Sequence, residues 1–248
     1  MTLHNHKLTY KAFGDCSLLI EFPVLNQQKE LHELIKFQSY LKQKLQHKIF
    51  DIVISFNSLC IHFKKPIKLG KIQIKIEQIL SDRSYLNQLI YPKHWEIPIC
   101  LDPIFAQDLI EHFEGDLSKV MKYQKRICDL EFTLGFYGFQ PGFCYLAGLP
   151  EEMAIQRKKV PNRTTLKGSL AVGAQQLGIY PQDSPGGWCV IGKSPIRFFD
   201  VNKDNPLFAS IGDRISFKPI TMDHYAKLKD LVELGMMPLK NTNVYGNN

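Results

Sequence analysis

Gly168-Ser169-Leu170-Ala171-Val172-Gly173-Ala174-Gln175-Gln176-Leu177-Gly178-Ile179-Tyr180-Pro181 leads, after two residues, into Ser184-Pro185-Gly186-Gly187-Trp188 and then Ile191-Gly192-Lys193. Short apolar runs cut by glycine and proline are the pattern of short strands joined by tight turns. The same character extends both ways. Ten of the 16 glycines lie between Gly135 and Gly192, and prolines 141, 150, 161, 181, 185 and 195 sit among them. Leu170–Val172, Cys189–Ile191, Ile196–Phe199 and Ile215–Phe217 are the expected strands. Such regular short strands predict an all-β barrel or sandwich.

Upstream, Trp95–Leu101 reads as a strand that carries Pro98. Helices are expected over Ile104–Phe113 and Leu117–Arg126, with Asp102 and Asp116 at their starts. Downstream, Asp223–Met236 reads as a helix, and Asn241–Asn248 as a frayed end. The first third differs. Leu8–Phe13 and Ser17–Phe22 are strand-like around a Gly14-Asp15 turn. Asn26 is a candidate cap for a helix in which Leu31, Leu34, Ile35, Leu41 and Leu45 recur at helical spacing. Two strands follow, Asp51–Phe56 and Leu59–Phe63, joined at Asn57-Ser58. A helix is expected over Lys71–Tyr85, although its isoleucines also alternate. The order strand-strand-helix-strand-strand-helix predicts a compact α+β unit. The expected boundary is Tyr91-Pro92, giving domains 1–92 and 93–248.

Composition narrows the classes. The chain has 248 residues, 44% hydrophobic and 22% charged, which excludes disordered, collagenous and coiled-coil chains. No stretch reaches the roughly 18 apolar residues that span a bilayer, and no secretory leader pattern opens the sequence. Six scattered cysteines read as the reduced thiols of a cytoplasmic protein. The net charge of +7 is uneven: residues 1–92 hold 13 Lys/Arg against 7 Asp/Glu. These lysines read as a solvated surface, with no nucleic-acid motif among them.

The chemistry must come from the Gly/Pro blocks. No histidine lies between His112 and His224, so the region has no local triad and no zinc motif. Neither common phosphate-cradling glycine loop is present. Glycines let backbone amides approach a ligand closely, and prolines stiffen the loop. Residues 135–200 carry seven Lys/Arg and four Asp/Glu, which favours an anionic ligand. The same blocks are equally the turns and corners of a barrel. Trp188 is readable as a packing residue or a stacking platform, and Asp183 and Asp200 as general bases or turn caps. Cys144 has no base nearby in sequence.

At these blocks the sequence resembles the family of 5-oxoprolinase B subunits, also called the Kip-type kinase inhibitor or allophanate hydrolase subunit 1 family, which is carboxyltransferase subdomain C/D-like. The matching residues are Gly14-Asp15, Leu18–Phe22, Glu96–Ile99 and Gly138-Phe139-x-Pro141-Gly142-Phe143-x-Tyr145-Leu146. Gly178–Pro181, Ser184–Trp188, Ile191-Gly192-x-x-Pro195, Phe199-Asp200 and Gly212-Asp213-Arg214 continue the pattern in order. The resemblance implies a small N-terminal α/β sandwich domain and a C-terminal cyclophilin-like β-barrel, an α+β chain overall. It implies subunits C and A as partners and ATP as the complex's cofactor, with no metal. The implied reaction opens 5-oxo-L-proline to L-glutamate, and this chain alone is inactive. Some members are instead inhibitors of a sensor histidine kinase, which makes such a kinase the alternative partner. On this reading Phe139, Pro141 and Gly142 shape a site. Arg157, Arg163 and Lys193 contact an anion, and Gln176 and Tyr180 add polar contacts. Ser184, Gly186, Gly187 and Trp188 form a second loop facing the same cleft. The chain departs from the family pattern at Ile127, Asn162, Leu166 and Leu177, among other positions.

Overall fold

Alternation builds the first sheet. In β1 (Thr9–Ala12), β2 (Ser17–Glu21), β3 (Ile49–Ser55) and β4 (Ser58–Phe63), successive side chains point to opposite faces. Leu18, Ile20, Ile52, Ile54, Leu59 and Ile61 turn inward and are buried. The strands are antiparallel in the order β1-β2-β4-β3. The β3–β4 turn is Phe56-Asn57, one residue earlier than the sequence suggests. Helix α1 (Gln28–Leu45) adds Leu34, Phe37, Leu41 and Leu45 to the same core. Helix α2 (Leu69–Asp82) resolves the alternating isoleucines: Ile76 is fully buried while Ile74 is 58% exposed. In a strand these two would share a face, whereas a helix places them on opposite sides.

The computed structural model describes residues 7–23, 28–236 and 239–243, so the candidate cap Asn26 lies outside the described residues. Its contacts divide the chain into two compact units, Met1–Tyr91 and Pro92–Asn248.

The second unit is a closed barrel. Its strands are β5 (Lys93–Cys100), β6 (Glu131–Tyr137), β7 (Cys144–Ala147), β9 (Ser169–Gly173), β10 (Gln176–Ile179), β12 (Cys189–Lys193) and β13 (Arg214–Ile220). They run in the order β12-β9-β10-β7-β6-β13-β5, and the pair Lys193↔Cys100 returns β12 to β5. β8 (Asn162–Thr165) and β11 (Ser184–Gly186) form a separate two-stranded ribbon. β14 (Lys240–Asn243) adds alongside β5. Pro98 falls between Glu96, the last β5 residue paired with β14, and Cys100, where β12 joins. A residue without an N–H is tolerated in that gap. Ile97, Ile99, Phe132, Leu134, Val172, Leu177, Ile191 and Ile215 fill the interior. α3 (Gln107–His112) and α4 (Leu117–Cys128) contribute Leu109, Val120 and Ile127 to this core.

Asp102 and Asp116 cap as expected: their carboxylates accept from the Ile104 and Lys119 amides. The first expected helix is instead a 3₁₀ turn, Pro103–Phe105, followed by α3. α5 (Met222–Glu233) ends before Gly235, whose φ is +82°. Two further expectations are corrected. Ile196–Phe199 is not a strand: Ile196 and Phe198 are buried, but only Phe199 makes a bridge, to Leu207. Pro195 supplies no N–H there, and the segment plugs the core with side chains rather than a ladder. The expected frayed end is ordered over Lys240–Asn243 because β5 offers a pairing edge. No helix among the described residues is long and apolar enough to cross a membrane, and all six cysteines are free.

Candidate functional site

The Gly/Pro blocks converge on an aromatic cluster on the outer wall of the barrel. In β9, Leu170 and Val172 point into the core, so Ala171 and Gly173 face outward. The Trp188 indole lies against Gly173 and Gly178. A Cβ added at Gly173 would stand 2.5 Å from the indole, and one at Gly178 would be 2.9 Å from both Trp188 and Phe143. Those glycines let an aromatic plate rest on strand backbone. Phe143 and Tyr145 meet Trp188 edge-on, each at 5.6 Å, and Tyr180 meets Phe143 edge-on at 4.9 Å. Burial pushes the Tyr180 hydroxyl above its ordinary pKa. Phe139, 65% exposed at a positive φ of 62°, leans edge-on against Phe143 at 5.5 Å. Gly142, at φ +80°, leaves room that Phe199 fills; its Cβ would be 2.4 Å away. Gly186 is pressed in the same way against Tyr180. Trp188, 6% exposed, is thus a packing residue.

A basic segment crosses this cluster. The Arg157 guanidinium lies 5.5 Å from the Trp188 ring centroid, a cation–π arrangement. Lys158 anchors the segment from below. Its ammonium donates to Asp108 Oδ1 at 2.5 Å and to Asn162 Oδ1 at 3.0 Å, and its amide donates to the Gly187 carbonyl at 2.7 Å. Asp108 also accepts from Asn162 Nδ2 at 3.1 Å and the Val190 amide at 3.1 Å. One carboxylate therefore ties α3, the 157–162 segment and β12 together. Arg157, Lys159 and Arg163 stay exposed on that anchored segment. Asp108→Ala is expected to cost about 2 kcal/mol by orphaning half-buried donors. Tryptic cleavage at Arg157, Lys159 and Arg163 should then accelerate. An unchanged cleavage rate would show that the segment does not depend on Asp108.

Lys193 sits elsewhere. With Lys167, Arg197 and Lys229 it lines a hollow of about 80 Å³ beside Tyr225, whose lining also includes Glu233. Burial first, and then Lys229 and Lys167, hold the Lys193 ammonium below its usual pKa, while Asp183 works the other way. A cation already disfavoured by burial and like charges gains from an anion placed beside it.

The remaining candidate residues divide between these features. Gln140 Nε2 donates to Ser184 Oγ at 3.4 Å, which joins the first loop to the third. Pro141 is exposed, and Gly187 is half-buried beside Pro161. Gln176 opens β10, half-exposed. Asp183 accepts from the Lys167 amide, and Asp200 accepts from the Asn202 amide and pairs with Arg197, so both brace turns. The Asn202 amide is the chief cause holding the Asp200 carboxyl below its ordinary pKa. Cys144 is fully buried, and burial raises its thiol pKa far above the ordinary value, which disfavours a thiolate nucleophile. Among the described residues no group of three or more His, Cys, Asp or Glu could hold a metal. Ile127 and Leu177 are fully buried in the barrel core, and Leu166 is 45% exposed. Asn162 is spent on Asp108. Sequence reasoning misses Asp108 altogether; nothing local marks an aspartate whose partners stand 50 and 54 residues away.

The family model described as carboxyltransferase domain, subdomain C and D, matches residues 8–209. The 5-oxoprolinase B subunit of Bacillus subtilis (strain 168) is 31% identical over 245 residues, covering 89% of this chain and 96% of the relative. The 5-oxoprolinase B subunit of Haemophilus influenzae is 30% identical over 174 residues, covering 68% and 78%. Among solved structures, the K. lactis urea amidolyase superposes with a TM-score of 0.76 at 14% identity. That match covers 97% of this chain but only 16% of the amidolyase, and the likeness is one of fold.

Proposed function

The chain belongs to the family of carboxyltransferase domains with subdomains C and D, and from that premise we propose that it is the B subunit of a cytoplasmic, ATP-dependent 5-oxoprolinase-type complex. The observation that carries this reading is the end-to-end likeness to the B. subtilis relative. The proposed partners are subunits A and C. The proposed reaction joins 5-oxo-L-proline, ATP and two molecules of water to give L-glutamate, ADP and phosphate. ATP supplies the phosphoryl group that activates the stable lactam carbonyl. The geometry supports an anionic substrate. Lys193, Lys167, Arg197 and Lys229 gather positive charge in one hollow, and Arg157, Lys159 and Arg163 ride on a segment fixed by Asp108. Such preset cations stabilise charge without reorganising at the moment of reaction. No nucleophile–base pair is assigned to this chain, and the chemistry is proposed to need its partners.

The test is reconstitution with subunits A and C. The complex should release glutamate with 5-oxoproline-dependent ATP hydrolysis, and omitting this chain should abolish both. Lys193→Ala should lower turnover at least about tenfold if its charge meets the reacting group. A stable complex with no 5-oxoproline-dependent turnover would overturn the reading. Binding to a histidine kinase that survives Arg157→Ala and Arg163→Ala would then favour the inhibitor alternative.

A further inference from the structure

Six lysines from three separate segments meet in one groove of the N-terminal unit. Lys48 follows α1, Lys64 and Lys65 leave β4, and Lys68, Lys71 and Lys75 begin α2. The groove encloses about 580 Å³ above an apolar floor of Phe63, Ile67 and Ile72. No aspartate or glutamate lines it. Among the described residues none of the six ammonium groups forms an ion pair, whereas Lys11 and Lys42 of the same unit pair with Glu21 and Asp51. Lys75 and Lys48 adjoin each other, and burial first and then Lys48 hold the Lys75 pKa below its usual value.

This arrangement is unfavourable without a counter-charge. Two like charges at 4 Å repel by about 1 kcal/mol even in water, and by more near a protein surface. α2 adds to the imbalance: its first turn carries no acidic residue, and Lys68 makes no side-chain capping bond. The helix start therefore contributes further positive potential to a groove that is already cationic. Gly70 has open space around it, so a ligand can come close to the backbone there. The volume lies in the range of roughly 300–1,000 Å³ typical of small-molecule sites. All six cations are lysine. Lysine meets phosphate as a mobile point charge, whereas arginine's planar fork is the residue matched to carboxylates.

We propose that this groove binds a small polyphosphate, a run of linked phosphoryl groups lying along Lys64, Lys65, Lys68, Lys71 and Lys75. A free inorganic polyphosphate and the tail of a nucleoside triphosphate present that same chemistry. The site lies wholly within the N-terminal unit and does not depend on the function proposed above.

The test is calorimetric titration of the full chain with inorganic tripolyphosphate and, separately, with ATP, at low and at high salt. Saturable binding that weakens with salt is expected for at least one of them. Equal affinities identify the phosphoryl run as sufficient, and preference for ATP identifies the nucleotide source. The variant Lys68→Glu/Lys71→Glu/Lys75→Glu should weaken binding at least about tenfold, three attractive pairs being turned to repulsion. The neutral variant Lys68→Gln/Lys71→Gln/Lys75→Gln should weaken it less and guards against misfolding by charge reversal. Reversing the exposed Lys122, Lys218 and Lys227 of the other unit makes the same change in net charge and should leave binding within about twofold, since exposed charges beyond a Debye length are screened. Absence of saturable binding, or equal loss in this control, would overturn the proposal. So would tighter binding of a glutamate-rich peptide, or of an oligonucleotide with affinity rising with length.

Discussion

Alanine at Asp213 is expected to destabilise the barrel by about 3–5 kcal/mol. Asp213 is 4% exposed, and its carboxylate accepts three N–H groups. Oδ1 takes the Lys93 amide at 2.9 Å, and Oδ2 takes the Trp95 indole N–H at 2.8 Å and the Ser210 amide at 2.9 Å. Two of those donors belong to β5 and stand 120 and 118 residues away, so the side chain is a clasp between the first and last parts of the barrel. Removing it leaves buried donors without water to replace the lost acceptor. Asp213→Asn retains one acceptor oxygen and should lose less. The chain has two tryptophans, Trp95 and Trp188, both in the barrel unit, so their fluorescence reports its unfolding separately from the N-terminal unit. The midpoint should fall by roughly 6–20 °C, at about 2–4 °C per kcal/mol for a domain of this size. A fall of less than about 2 °C would remove the clasp from the account of stability.

The second large effect is at Trp188. Trp188→Ala should cost about 3–5 kcal/mol, because a large buried ring leaves a space the strands cannot close. Gly173→Ala should cost about 1–3 kcal/mol for the opposite reason, since its Cβ would stand 2.5 Å from the indole. The double variant decides between this packing account and two unrelated injuries. With the indole gone, the added methyl enters vacated space, and the two penalties should fall short of additivity by at least about 1 kcal/mol. Additive penalties would show that Gly173 is glycine for some other reason. Trp188→Ala also removes the ring under Arg157, so in the reconstituted complex it should impair turnover beyond what its stability loss explains.

Much of this architecture is legible in the sequence, and the failures have physical causes. Glycines 173, 178 and 186 are visible as punctuation, but not as seats for Trp188, Phe143 and Tyr180. That distinction needs the third dimension. Alternation places Leu170, Val172, Cys189 and Ile191 correctly because one face of each strand is buried. Ile196–Phe199 offers the same apolar signal and yet forms no ladder, since burial of side chains does not require pairing of backbone. Lys240–Asn243 reads as a loose polar tail, because nothing local shows that β5 has an edge to offer. Arg157 is readable as a site cation, whereas the neighbouring Lys158 is consumed by Asp108. The sequence pattern groups Lys193 with Trp188 in one cleft, but Lys193 lines its own hollow with Lys167 and Lys229. The lysines of the first third are legible as an excess of charge. Their convergence is a property of the fold, since Lys48 and Lys75 come from opposite ends of a strand-strand-helix run.

The parallel pairing of β5 with β13 also sets a timetable. Arg214 lies beside His94 and Ile220 beside Cys100, so the opening strand of the barrel cannot find this neighbour until about 120 further residues exist. At synthesis rates of roughly 5–20 residues per second, β5 waits some 6–24 s on the ribosome with its apolar face and its Trp95 unclaimed. The N-terminal unit, whose strands pair within the first stretch of chain, has no such delay. During biosynthesis the chain therefore passes through a period in which one half is finished and the other is a nascent, aggregation-prone sheet awaiting its final strands.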